Sequence, residues 1–116
     1  MKLQLKTDQE LIRMFLEGKQ TGLEELIRRH KSKIYTSIYL LVKDSYLAED
    51  LFQDTFIKVI NNLKCGKYNE EGKFLPWVMR VAHNLVIDHF RREKRAPMIT
   101  SVEGFDIFEV LKFHDE

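Results

Sequence analysis

Apolar positions in this chain recur at helical rather than strand spacing. Leu23, Leu26, Ile27, Ile34, Ile38 and Leu41 follow one another mostly at three- and four-residue steps, the stripe that one face of a helix buries. That stripe predicts a long helix over about 22–43. Ahead of it, Thr7 and Glu10 have the spacing of a capping box, in which the threonine oxygen accepts an orphan amide and the glutamate reaches back to the cap. They predict a short helix over about 8–17, stopped by Gly18, where left-handed backbone is cheap. Thr21 and Glu24 have the same spacing before the long helix. A third helix is expected from Ser45 to Lys64. The stretch from Cys65 to Lys73 holds Gly66, Asn69 and Gly72, lacks a helical period, and reads as a loop. A fourth helix is expected over about 74–95, with Pro76 tolerated in its first turn and Pro97 ending it. No strand alternation, repeat or low-complexity segment stands out. The pattern predicts an all-α fold, a compact bundle of about four helices, followed from Ala96 by an acidic tail that is either a linker or a short docking helix.

Composition narrows the class. The chain has 116 residues, enough for one domain with one modest core. With 44% hydrophobic and 32% charged residues it is expected to be globular rather than disordered. The single cysteine, Cys65, excludes an intrachain disulfide and a clustered cysteine metal site, so a reducing cytoplasm is the default. No apolar run approaches the roughly 18 residues that a membrane span needs, and the first ten residues lack a signal-peptide core.

The net charge of +1 hides strong segregation. Residues 44–60 carry four acids against Lys58, residues 80–95 carry five bases against Asp88 and Glu93, and residues 103–116 carry five acids against Lys112. On a helical wheel, Leu47, Ala48, Leu51, Phe52, Val59 and Leu63 share the core face of the third helix. Asp50, Gln53, Asp54 and Ile57 share the opposite one. Ile57 among carboxylates suggests a face that something covers rather than a merely solvated one. Phe56 and Ile60 fall on the border.

The fourth helix places Phe74, Val78, Val81, Ala82 and Leu85 toward the core, while Arg80, Asn84 and Arg91 line another face that Lys94 and Arg95 extend. Cations there also complement the helix dipole, which is the bland reading of Arg92 and Lys94. The preceding loop mixes Lys64, Lys67, Tyr68 and Lys73 with Phe74 and Trp77. Single-stranded bases stack on such aromatics while lysines follow the backbone. Trp77 is expected to pack in the core and Tyr68 to be exposed.

Two other readings compete. A helical adaptor would use the acidic face and leave the loop idle. A metal-dependent hydrolase would use His83, Asp88 and His89, but spacings of five and six residues make these side chains diverge. His30 and His114 sit among polar neighbours and are expected at the surface.

Three runs carry a family resemblance. The run 48–56, Ala-Glu-Asp-Leu-Phe-Gln-Asp-Thr-Phe, is similar to the Ala-Glu-Asp-Leu-x-Gln-(acid)-x-Phe signature of sigma factors of the extracytoplasmic-function (ECF) type. The run 74–84, Phe-Leu-Pro-Trp-Val-Met-Arg-Val-Ala-His-Asn, resembles their Phe-x-x-Trp-(apolar)-x-x-(apolar)-Ala-x-Asn signature, and Ile87, Asp88, Arg91 and Arg92 match its usual close. The resemblance covers about residues 8–95, the domain of these factors that binds core RNA polymerase and melts promoters (sigma region 2). It implies that Asp50, Gln53 and Asp54, with Phe56, Ile57 and Ile60 beside them, contact the clamp coiled coil of the polymerase's largest subunit. It implies that the loop from Lys64 to Lys73 captures a base flipped from the non-template strand of the minus-ten element. Lys64, Lys67, Tyr68, Lys73, Arg80, Asn84, Arg91 and Arg95 would then contact DNA. It further implies an anti-sigma partner, no cofactor or metal, and no enzymatic activity. A complete factor of this type carries a second helical domain that reads the minus-thirty-five element. Residues 1–95 are thus expected to form the region 2 domain and 96–116 to begin a linker, in a fragment that lacks the second domain.

Overall fold

The computed structural model describes residues 2–69, 71–93, 101–102 and 105–106. Four helices hold most of them, as the hydrophobic spacing predicts: α1 (Asp8–Leu16), α2 (Gln20–Val42), α3 (Ser45–Lys64) and α4 (Phe74–Glu93). A short 3-10 turn, Leu3–Leu5, precedes α1. The exception to the all-helical pattern is a two-residue antiparallel pair, β1 (Ser101–Val102) with β2 (Phe105–Asp106), which the sequence pattern had not suggested. Lys94, Arg95, Pro97 and His114, with the tail residues other than those of the strand pair, lie outside the described residues.

The helix ends follow local chemistry. Thr7 forms the expected capping box: its hydroxyl accepts from the Glu10 amide at 3.2 Å, and the Glu10 carboxylate accepts from the Thr7 amide at 2.8 Å. That backbone bond holds the Glu10 carboxyl below its ordinary value. α1 ends in a Schellman turn, with Gly18 at φ 94°, its N–H donating to the Phe15 carbonyl and the Lys19 N–H to that of Met14. α2 then starts two residues before the expected position. Its cap is Lys19, without a side-chain bond, and Thr21 lies in the first turn, so the second capping box does not form.

Packing at Gly22 accounts for this. A Cβ there would stand 2.5 Å from the Leu11 carbonyl oxygen and 3.0 Å from the Met14 Cβ. α1 and α2 therefore cross backbone to backbone, and the helix must already be formed at residue 22 to present glycine to that crossing. At the other end Lys43 takes a left-handed φ of 56°, and Asp44 caps α3 by accepting from the amides of Tyr46 and Leu47.

α2 is the central helix and touches the other three. Leu26, Ile34 and Ile38 from its stripe are fully buried, while Ile27 is only half-buried. α2 and α4 run side by side in one direction: His30 meets the Phe74 ring, and seven residues on Ser37 meets His83 at 2.8 Å. Two buried polar side chains of the core find partners this way, His83 through its Nε2 at Ser37 and Thr55 by donating to the Leu51 carbonyl at 2.7 Å.

Ionic contacts tie the N-terminal segment to α2. Buried Glu25 accepts from Arg28 at 2.6 Å and from Arg29 at 3.3 Å. The Arg28 hydrogen bond, reinforced by its charge, holds the Glu25 carboxyl below its ordinary value. Arg29 reaches on to Asp8 at 3.0 Å. His30, expected at the surface, is half-buried beside Asp8 instead, with its Nε2 2.8 Å from a carboxylate oxygen. Among the described residues no helix is long and apolar enough to cross a membrane.

Candidate functional site

Two surfaces carry the candidate residues. The first is the outer face of α3. Asp50, Gln53 and Asp54 are exposed, and Ile57 is 58% exposed among them. Among the described residues neither Asp50 nor Asp54 takes part in an ion pair. Both carboxylates therefore stand on a rigid helix without a cationic partner among the described residues.

Phe56 does not belong to this face. It is buried and meets Phe52, one turn earlier, edge to face at 5.2 Å, which in turn meets Tyr35 of α2 at 6.2 Å. A residue four positions after Phe52 points toward α2, as Phe52 does. Ile60 is half-buried and packs against the core, so four of the six residues expected there face outward. Sequence reasoning missed Tyr46, one turn before Asp50, which is 86% exposed. Its signal was available: an aromatic at the fourth position before Asp50 continues the same stripe.

The second surface is built where α3 ends. Gly66 takes φ 77°, and the Lys67 N–H donates to the Asn62 carbonyl at 2.9 Å, so a second Schellman turn throws the chain off the helix axis. The loop comes back with Gly72 at φ 75° and enters α4 at Phe74. Between loop and helix lies a cleft of about 260 Å³, lined by Lys67, Tyr68, Asn69, Glu71, Lys73, Pro76, Trp77 and Arg80.

The inner wall of this cleft is aromatic. Tyr68 and Trp77 rings are 4.4 Å apart at 43°, and Phe74 lies behind both at 6.0 and 6.1 Å. Tyr68 is therefore half-buried rather than fully exposed, because two aromatics one element away hold it. Trp77 is also half-buried and packs against the core while still lining the cleft. The rim is cationic through Lys67, Lys73 and Arg80. Glu71 is engaged by the Asn69 side-chain amide at 2.8 Å.

The structure thus brings together Lys67, Tyr68, Lys73 and Arg80 and sets other expected residues apart. Lys64 is turned toward α1, its ammonium 5.8 Å from the Phe15 ring centre, and does not line the cleft. Asn84 and Arg91 are exposed on α4, one turn and about three turns beyond Arg80. Arg95 lies outside the described residues. Asn69, Glu71 and Pro76 line the cleft unforeseen, since no periodicity marks a loop wall.

The hydrolase constellation does not converge. His83 points inward to Ser37, Asp88 is exposed, and His89 rests edge-on against Phe90 at 5.3 Å.

Comparison with known proteins agrees with this architecture. Residues 26–96 match the model of the family described as sigma-70 region 2. The chain is 34% identical over 89 residues to the RNA polymerase sigma factor CarQ of Myxococcus xanthus, covering 77% of this chain and 50% of that protein. It is 36% identical over 83 residues to the ECF RNA polymerase sigma factor SigE of Mycolicibacterium smegmatis, covering 72% of this chain and 31% of that one. It is 32% identical over 83 residues to the ECF RNA polymerase sigma factor SigW of Bacillus subtilis, covering 72% and 43%. The chain spans half or less of the length of these relatives, and no solved structure matches it at a significant level. The match takes in most of α2, all of α3 with its outward acids, the cleft and α4, and the chain belongs to the sigma-70 region 2 family.

Proposed function

We propose that the chain is the polymerase-binding and promoter-melting domain of an ECF-type sigma factor. α3 offers Asp50, Gln53, Asp54 and Ile57 to the clamp coiled coil of the polymerase's largest subunit. The cleft takes a base flipped out of the non-template strand of the minus-ten element. The observation that carries this reading is the cleft itself, with an aromatic wall and a cationic rim on a family scaffold.

The chemistry is a shift of equilibrium, not a reaction. Extruding a base costs a few kcal/mol of pairing and stacking. Stacking that base on an aromatic side chain returns about 1–3 kcal/mol. Lys67, Lys73 and Arg80 follow the phosphates, and the exposed Asn84 amide is suited to a base edge. Polymerase supplies the catalysis, so this chain makes and breaks no bond. In the same reading residues 96–116 begin a linker, a second domain reads the minus-thirty-five element, an anti-sigma factor competes for the domain, and the protein acts in the cytoplasm.

The test is binding of a single-stranded non-template minus-ten oligonucleotide beside a scrambled one. Asn84→Ala is expected to weaken the first and leave the second unchanged. Equal affinities for both strands in the unsubstituted chain would remove base reading from the account.

A further inference from the structure

The cleft is wired to the opposite end of the chain through one imidazole. Asp8, the first residue of α1, places one carboxylate oxygen 3.0 Å from Arg29 and the other 2.8 Å from His30 Nε2. Arg29 also donates to the Leu3 carbonyl at 3.2 Å and to the Glu25 carboxylate at 3.3 Å. The His30 ring also meets that of Phe74, with centroids 5.9 Å apart at 51°. Phe74 is the ring behind both Tyr68 and Trp77.

We propose that Asp8 and His30 are positioning residues of the cleft, through which the N-terminal segment sets the pose of the aromatic wall. The inference rests on the reading of the cleft as a base pocket. Its physical basis is the fixing of a rotamer. The His30 side chain is 13% exposed and Asp8 28%, so their contact is largely shielded from water. An imidazole held by a carboxylate on one edge has one ring orientation, and Phe74 packs against that orientation. Phe74 is buried and opens α4, so any shift in it moves Tyr68 and Trp77, whose mutual geometry decides how well a flat base can stack. Neither Asp8 nor His30 touches the cleft, and both act through Phe74.

Trp77 is the only tryptophan in the chain, so its emission reports this wall directly. In the free 116-residue chain, His30→Ala is expected to shift Trp77 emission to the red and raise its quenching by acrylamide. Affinity for the single-stranded minus-ten oligonucleotide should fall about five- to tenfold, the size of a lost aromatic contact. Affinity for the clamp coiled coil should stay within about twofold, because that site is on α3. His30→Gln keeps a donor for Asp8 and a flat amide toward Phe74, and should restore most of the emission. Should His30→Ala lose its helical circular dichroism, Asp8→Asn carries the same test with side-chain shape retained. Unchanged Trp77 emission and quenching in the folded variants would overturn the proposal. So would equal losses of oligonucleotide and clamp binding that His30→Gln fails to rescue. A Trp77 signal in the unsubstituted chain that ignores the oligonucleotide would instead count against the base pocket, and the response of the free variants would still decide the role of His30.

Discussion

The outer face of α3 and the cleft before α4 are made in opposite ways. The α3 face is four outward side chains on one regular helix, spaced by the helical turn and braced by a buried stripe behind it. The cleft is assembled from the end of α3, a loop with two left-handed glycines, and the first two turns of α4. A helical face is preorganised and suits another rigid helical surface. A loop wall over an aromatic stack gives way locally and suits a flexible strand whose bases must be turned one at a time. Separating the two tasks means that substitutions at one surface should leave the other intact, because one set of residues lies on α3 and the other on the following loop and α4.

The sharpest way to break that separation is charge reversal on α3. Asp50→Arg with Asp54→Arg should lower affinity for core polymerase about a hundredfold, since like charges set opposite one another cost several kcal/mol. The minus-ten oligonucleotide should still bind as before. Co-purification and strand binding measured on one preparation would check both, and a parallel loss would show the surfaces to be coupled.

At the cleft, Tyr68→Ala should cost about tenfold in strand affinity, within the range for one base stack. Raising salt from about 50 to 200 mM should weaken strand binding by a comparable factor if Lys67, Lys73 and Arg80 each neutralise one phosphate. A flat salt titration by fluorescence anisotropy would exclude those contacts.

Gly22→Ala should act first on the fold rather than on the residues of either surface. Its Cβ would meet the Leu11 carbonyl oxygen at 2.5 Å, so the α1–α2 crossing must open, at about 1–3 kcal/mol in denaturant unfolding. Any change in binding should then fall on the cleft before the α3 face, because Asp8 on α1 moves with that crossing relative to His30 on α2.

The smallest expected effect is on acid stability. Glu10 and Glu25 both have carboxyls held below their ordinary value of 4.5, the first by the Thr7 amide and the second by Arg28. Their contribution is fully present above that value and is lost as pH falls through the lowered values of the folded state. Glu10→Gln, which removes the titrating carboxyl, should therefore flatten slightly the pH dependence of the melting temperature below about pH 4.5, where the unsubstituted chain loses the charged partner of the Thr7 amide.

The same contrast explains what could be read from the residues. The four helices, the Thr7–Glu10 box, the stop at Gly18 and the outward set Asp50, Gln53, Asp54 and Ile57 depend on near neighbours in sequence, and periodicity reports near neighbours. The misreadings are nonlocal. Thr21 has the spacing of a cap, but the start of α2 answers to a backbone crossing at Gly22. Phe56 stood on a wheel border, and Phe52 and α2 decide which way it faces. The loop position of Tyr68 suggests solvent, whereas Phe74 and Trp77, six and nine residues later, fold back onto it. His30 stood among polar neighbours in the chain and is enclosed by Asp8 and Phe74, which are far from it in sequence.

The central claim is that a base enters the cleft beside Trp77. The most direct measurement is a titration of Trp77 fluorescence with single-stranded non-template minus-ten oligonucleotide, repeated with a scrambled strand and with an abasic site at the captured position. Stacking is expected to quench Trp77 saturably with the first strand, and much less with the other two. Equal quenching by all three strands, or none by any, would contradict it.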